Sequence, residues 1–519
     1  KTLKGAGGYA VMFHMHGKLK GEIKNLTLRQ ADDTTSFRPF SANAEAFDES
    51  KLKKIPTGAK EFSVDLPTPK NGLVVSAADF GLNENVDNAA AIINKALEHC
   101  RKTGASKLVI PRGTYKSFDG TQIIVQDFED FTIDGQGSTI IINKNLRKSG
   151  PSTLSIARCK RTLLENLNFD WDWNSNPLAS VVEVVGGNDK YFDIKFLEYE
   201  DFPQKDVRIG IFSAYDPKTK SVGIENGKTL AFNMFVGRGK PVETQWIASN
   251  ILRIKTKNPF EAGELYRLQH SYYEYGCVSM LSNTHLTLRN FNIYSCSGHA
   301  FTVSGTQKYW HFDNVNIVRP PNSERRAITT TADHLHIAQS QGYMKMENCE
   351  FSLGADDCIN MHDCSIIMDR ESDETLLSVN TRNSYLYNEG EEIELRQDDF
   401  SPAGFTGKVI EKTLVDKERK IYRVRLDKPI PEMKGVYFVL FSKKYDTRNM
   451  IVRNCYFHDN RARGVLILAR DVTVENCRFF QNEMGAIKIE TDFTGNSWCE
   501  GYGGGDVVVR ICTFDTCNP

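Results

Sequence analysis

Residues 449–490 read NMIVRNCYFHDNRARGVLILARDVTVENCRFFQNEMGAIKIE, and one pattern occurs in them twice. Alternating apolar residues (MIVR, then DVTVE) lead to an Asn and a short string, NCYF at Asn454 and NCRF at Asn476. A Gly and a second apolar run follow each time (GVLIL, then GAIKI). Alternation with a period of two is the signature of a strand with one buried face. The interval from Asn454 to Asn476 is 22 residues, room for two short strands and their turns. That is about one coil of a parallel β-helix.

Working outward, NLNF at Asn166, NFNI at Asn290, NVNI at Asn314 and NCEF at Asn348 fall into the same register, and HLTLRN before Asn290 repeats the alternation. Asn25 in IKNLTL also fits, although nothing fixes where that segment packs. Cys349, Cys455 and Cys477 occupy equivalent places, and Cys512 in CTF joins them. They read as a ladder of small buried residues rather than disulfides or metal ligands.

The spacing breaks twice, with 124 residues between Asn166 and Asn290 and 106 between Asn348 and Asn454. Each gap exceeds one coil by roughly 80–100 residues. The extra segments alternate strongly between charged turns (KYFDIKF, VRIGIF; EEIELRQ, IYRVRLD) and read as small antiparallel β-domains set into turns of the solenoid. The stretch NAAAIINKALEHCRKTG puts Ala89, Ile92, Ile93, Ala96, Leu97 and Cys100 on one helical face, with Asp87 as the expected N-cap and Gly104 as the stop. Such a helix can cover the open apolar end of the first coil.

The expected fold is therefore all-β, a right-handed parallel β-helix with two inserted β-barrel-like domains. Its expected parts are an N-terminal segment at 1–70, the helix start with its capping α-helix at 71–180, and an insert at 181–265. Further coils span 266–364, a second insert 365–446, and the last coils 447–519.

The repeat gives meaning to residues 330–364, TTADHLHIAQSQGYMKMENCEFSLGADDCINMHDC. Asp333 precedes the pair Asp356–Asp357 by 23 or 24 residues, one coil, so the three acids should meet across neighbouring coils spaced about 4.8 Å apart. Clustered carboxylates raise one another's proton affinity, leaving one acid protonated beside an ionised one. Glycosidic bond cleavage needs that pair. The second carboxylate either activates water, at a separation of about 6.5–9.5 Å, or attacks directly at about 5–5.5 Å. An offset of one residue on adjacent coils suits the wider figure.

At 519 residues with 40% hydrophobic and 25% charged content and a net charge of −1, the chain has no basic field for nucleic acid and no apolar run long enough to span a membrane. Its opening, KTLKGAGGYA, lacks Met and the apolar core of a secretory signal and reads as a processed or trimmed product. No CxxC pair or zinc spacing occurs among the twelve cysteines.

The strings TADHLHIAQSQG, MENCEFSLGADDCINMH, RARGVLIL and ETDFTGNSWCEG together resemble glycoside hydrolase family 110, the β-helical exo-acting α-1,3-galactosidases. The resemblance covers roughly residues 75–519 and is sharpest in D-x-x-H at Asp333–His336 and DD-x-x-N-x-H at Asp356–His362. It implies inverting hydrolysis of a terminal α-galactoside of the blood group B-cleaving type, without metal or other cofactor. It makes Asp333, Asp356 and Asp357 the catalytic acids, without dividing the acid and base roles among them. His336, Asn360, His362, Arg463, Glu490, Trp498 and Glu500 are expected to bind substrate, each against the plainer reading of a structural or solvated residue. Trp171 and Trp173 either wall the site or fill the core. The expected partner is a galactose-terminated glycan, with a homodimer allowed, and the expected location is the bacterial periplasm or cell surface.

Other readings use the same acids differently. A polygalacturonase-like hydrolase needs basic residues to hold uronate, and a Ca²⁺-dependent lyase needs a Lys or Arg base, for which Arg463 and Lys488 are candidates. A non-catalytic carbohydrate-binding solenoid needs only a polar groove.

Overall fold

A computed structural model describes residues 57–517, apart from 225–226, 234–241, 324–325, 380–382, 491–492, 495–497 and 502–504. Asn25 and the rest of 1–56 lie outside the described residues. The chain winds as a parallel β-helix. One parallel sheet runs from Val74–Ser76 through Lys107–Val109, Glu129–Ile142, Lys160–Trp171, Thr284–Ile293 and Lys308–Ile317. It continues through Met344–Glu347, Arg448–Arg453 and Arg470–Glu475 to Gly505–Arg510. A second runs from Ile123–Gln126 through Leu154–Ala157, Val278–Leu281, Phe301–Ser304, Leu335–Ile337, Ile359–Met361 and Val465–Ile467 to Ile487–Ile489. Their inward side chains form one continuous apolar core.

The Asn repeat has a conformational cause. Asn166, Asn290, Asn314, Asn348, Asn454 and Asn476 all sit in the left-handed region, with φ between 48° and 59°. Asn tolerates that region better than other non-glycine residues. The side chains also form a ladder, in which Asn290 donates to Asn166 at 3.1 Å, Asn314 to Asn290 at 2.9 Å and Asn476 to Asn454 at 2.7 Å. These asparagines thus bend their own coils, and the ladder bonds tie neighbouring coils in register.

The cysteines next to these asparagines turn inward, and nine of the twelve thiols are buried; all twelve are free. Under native conditions a water-soluble maleimide is expected to modify at most Cys364, Cys512 and Cys517, with the rest reacting only after denaturation. Rapid reaction of all twelve would contradict the buried ladder.

The first interruption folds as a seven-stranded antiparallel sheet between Ala179 and Gln269, around its own core of Phe192, Phe196, Phe212 and Leu268. The second, Ile366–Ser442, closes into an antiparallel barrel. Both leave and rejoin the solenoid at turns next to the second sheet.

The helix Ala89–Thr103 buries the predicted face and ends at Gly104 (φ 67°). Its N-cap is Asn88, not Asp87. Asp87 is held instead by the neighbouring strand: its carbonyl accepts from Phe118 N–H at 2.9 Å and its carboxylate pairs with Lys116 at 3.6 Å. No described helix is long and apolar enough to cross a membrane.

Residues 57–71 form no regular element but run across the coils of the first sheet. Gly58 N–H donates to Asp506, Ala59 to Thr473, Lys60 to Asn449, Asp65 to His285, Thr68 to Asp130 and Asn71 to Ser106. Lys345 reaches the Phe62 carbonyl at 2.9 Å, and the Phe62 ring packs on Tyr309 and Tyr343. The strap spans the stack from its last described coil to its first.

Candidate active site

Strand register places four side chains in one line. Phe301 pairs with Leu335, Leu335 with Ile359, and Ile359 with Val465. Two residues ahead of each stand His299, Asp333, Asp357 and Arg463, one per successive coil. The Asp357 N–H donates to Asp333 Oδ1 at 3.1 Å, and the His334 N–H to the Asp357 carbonyl at 2.9 Å. Asp356 turns in beside them, so one oxygen from each of Asp333, Asp356 and Asp357 lies within 4.8 Å of the others. This is tighter than the expected spacing, because Asp333 stacks directly on Asp357 rather than diagonally.

Each carboxylate has its own keeper. Arg463 grips Asp357 with a two-pronged bond, Nε to Oδ1 and Nη2 to Oδ2, both 2.7 Å, and its backbone N–H adds a third at 3.0 Å. Asp356 accepts from the hydroxyls of Tyr273 (2.6 Å) and Tyr272 (3.3 Å), with Arg461 at 3.4 Å. His336 Nδ1 and Asp333 Oδ2 share a hydrogen bond of 2.5 Å. Its Nε2 meets His362 Nε2 at 3.3 Å, and Glu500 lies 3.8 Å from His362 while accepting from the Asn360 amide at 3.3 Å.

Burial and charge divide these groups by proton affinity. Asp333 is 3% exposed; burial, reinforced by the neighbouring Asp356 charge, pushes its carboxyl up to about 7 despite the His336 bond. Burial raises Asp357 as well, against the pull of Arg463. For His336, burial disfavours charge, but the bond to Asp333 and the nearby carboxylates outweigh it and raise the imidazole. His362 has no such bond, and burial lowers it to about 4. Glu500 is held low because His362, His336, the Asn360 amide and Arg463 together exceed its burial cost. The site therefore contains a proton-retaining acid beside carboxylates and imidazoles of graded affinity.

Ligand-type atoms of the three aspartates, of His336, His362 and Glu500, and of His299, Asp333 and His336 stand close enough to share a cation. Protein groups already serve these atoms: the guanidinium groups of Arg463 and Arg461 face the aspartates, and the His336 ring bonds Asp333.

The structure thus gathers Asp333, Asp356, Asp357, His336, Asn360, His362, Arg463 and Glu500. Arg463 is committed to Asp357, so it positions an acid rather than standing free for sugar. Glu490 is buried, and its carboxylate is taken up by Lys488. The Trp498 side chain lies outside the described residues. Trp171 and Trp173 belong to the core, with indole N–H groups donating to the Asn176 carbonyl and the Ser295 hydroxyl. His299, Tyr272, Tyr273 and Arg461 join the site without having been singled out in the sequence. His299 is readable from register, since SGHAF aligns with TADHL. The two tyrosines arrive at the end of the first insert, and no repeat signals their pairing with Asp356.

A β-helix whose coil turns set a proton-retaining Asp against two further carboxylates has the equipment of a glycoside hydrolase. A family model for a right handed β-helix region matches residues 438–518. Alpha-1,3-galactosidase A of Shewanella woodyi is 25% identical over 484 residues, covering 86% of this chain and 76% of the relative. Alpha-1,3-galactosidase B of Bacteroides thetaiotaomicron is 24% identical over 487 residues, covering 85% and 75%. Among solved structures, the family 28 exopolygalacturonase of Yersinia enterocolitica matches 86% of this chain and 66% of its own at 10% identity and a TM-score of 0.33. The chain is thus a β-helical glycoside hydrolase, similar over about 85% of its length to these bacterial α-1,3-galactosidases.

Proposed function

We propose that the chain releases terminal α-1,3-linked galactose from glycans by hydrolysis with inversion. The observation that carries this reading is the divided state of the acid cluster. Asp333 keeps a proton to about pH 7 and lies against carboxylates held by other donors. Asp333 is the general acid, giving its proton to the leaving oxygen while His336 orients it. Asp356 is more exposed than Asp357, at 16% against 2% of the side chain, so water reaches it first, and it is the base. Asp357, clamped by Arg463, fixes the negative field between them. The linkage and the sugar come from the named relatives and from the motifs.

The oxygen spacing within 4.8 Å taken alone favours the shorter, direct-attack arrangement. Against this, both oxygens of Asp357 are held by the Arg463 guanidinium, which withdraws it as a nucleophile, while on Asp356 the tyrosine hydroxyls occupy Oδ2 and leave Oδ1, 3.4 Å from Arg461, to take a proton from water. A lyase is disfavoured because both candidate bases, Arg463 and Lys488, are ion-paired.

The two hydrolytic routes differ in their first product. Proton NMR of a Gal-α-1,3-Gal oligosaccharide digest is expected to show β-galactose first, at a rate unchanged by EDTA. Initial α-galactose would establish retention and remove the water-activating role of Asp356, and loss of activity on chelation would bring a cation into the mechanism.

A further inference from the structure

We propose that a cleft beside the acids, on the N-terminal side of the coil stack, holds the sugar chain beyond the scissile bond. The inference rests on reading the acids as an exo-acting glycosidase site, since such a site takes in one terminal sugar and must leave the remaining chain elsewhere. The cleft encloses about 810 Å³ between the early coil turns and the first insert, within the usual range of ligand sites of roughly 300–1,000 Å³.

Three observations connect it to the acids. First, the turn SYYEYG (271–276) serves both places: Tyr272 and Tyr273 donate to Asp356, and two residues on Tyr275 lines the cleft. The Tyr275 N–H also bonds the Ser297 carbonyl, two residues before His299. Second, the order Leu154–Ala157, Val278–Leu281, Phe301–Ser304, Leu335–Ile337 in the second sheet sets the cleft turns three coils from Asp333. At about 4.8 Å per coil that is roughly 14 Å, the reach of a short oligosaccharide.

Third, the lining suits sugar. Lys144 is 7% exposed; its ammonium donates to the Pro151 carbonyl at 3.2 Å and lies 4.9 Å from the Tyr275 ring centre. No carboxylate forms an ion pair with it among the described residues. An ammonium has three donors, so capacity remains for ligand oxygens. Tyr275 and Phe118 supply rings for the C–H faces of sugars. Arg147 pairs with Asp206 at 2.5 Å, and the lining's other two charges, the Lys144 ammonium and the Asp119 carboxylate, are of opposite sign, so the lining carries no net charge and fits a neutral glycan.

Gln204, from the first insert, lines the cleft and bonds the Asn176 side chain. Gln204→Trp fills the space, whereas Gln204→Ala removes only the bond. Gln204→Trp is expected to lower kcat/KM on a long α-1,3-galactosyl oligosaccharide by about tenfold, while changing it less than about twofold on p-nitrophenyl α-galactoside. Gln204→Ala should resemble the wild type on both. By calorimetry, the oligosaccharide stripped of its terminal galactose should bind the wild type and Gln204→Ala but not Gln204→Trp. Equal losses on both substrates, no loss on either, or undiminished binding of the stripped chain to Gln204→Trp would overturn the proposal. Failure of the wild type to release galactose from either substrate would instead remove the proposed function, and the calorimetric comparison would still decide whether the cleft binds sugar.

Discussion

Asp333→Asn is expected to reduce kcat on an α-1,3-galactoside by about 10²–10⁴-fold, the usual worth of a positioned general acid, while the protein stays folded. The new amide oxygen can still accept from the Asp357 N–H, and the amide nitrogen can donate to a neutral His336 ring, so both contacts to the coil survive. The pH dependence separates this loss from misfolding. In the wild type the folded state keeps the Asp333 proton to about 7, whereas an unfolded chain releases it near 3.9. The folded form therefore binds more protons between those values, and its stability falls as pH rises through that window and then levels off. The Asp333→Asn change removes this dependence, so the variant should match or exceed the wild type in melting temperature at pH 8. Wild-type kcat should decline as pH rises past about 7, where the acid loses its proton. Near-normal turnover by the variant would remove Asp333 from the reaction.

The largest expected effect on stability comes from Arg463→Met. Asp357 is 1% exposed, and among the described residues Arg463 is its only guanidinium partner at bonding distance. Removing one member of a buried pair strands the other charge, at a cost of about 3–5 kcal/mol. The loss would appear as a lower midpoint in chemical denaturation at pH 7.5. It should shrink as pH falls, because a stranded carboxylate can escape its penalty by taking up a proton. Adding Asp357→Asn to Arg463→Met should restore much of the midpoint, though not the activity. A single variant as stable as the wild type, or a pair of changes no better than one, would mean that Arg463 is not what holds Asp357 in place.

Much of this architecture is legible because β-helix coils repeat both chemistry and conformation. Asn recurs where the backbone enters the left-handed region, Cys recurs where the core admits a small thiol, and one coil length separates Asp333 from its partners. The two interruptions announce themselves by breaking that interval. Contacts that no period encodes are harder to read. Tyr272 and Tyr273 reach Asp356 from the end of a segment with a separate fold, so the pairing depends on how the insert is seated. Asp87 has the composition of a cap, but the strand at Thr114–Ser117 claims it. The strap at 57–71 has neither strand nor helix periodicity, and most of its bonds run from backbone to side chains far away in sequence.

That strap changes how the molecule can come apart. In a solenoid each coil touches only its neighbours, so the ends ordinarily fray one layer at a time while the middle stays intact. Here a single run of backbone is fastened to Asp506 near one end and to Ser106 near the other. A coil that peels away at either end must let go of this cord or pull it taut against every layer between. The stack therefore behaves less like a pile of separable plates than like a laced binding, in which loosening at one end is felt at the other.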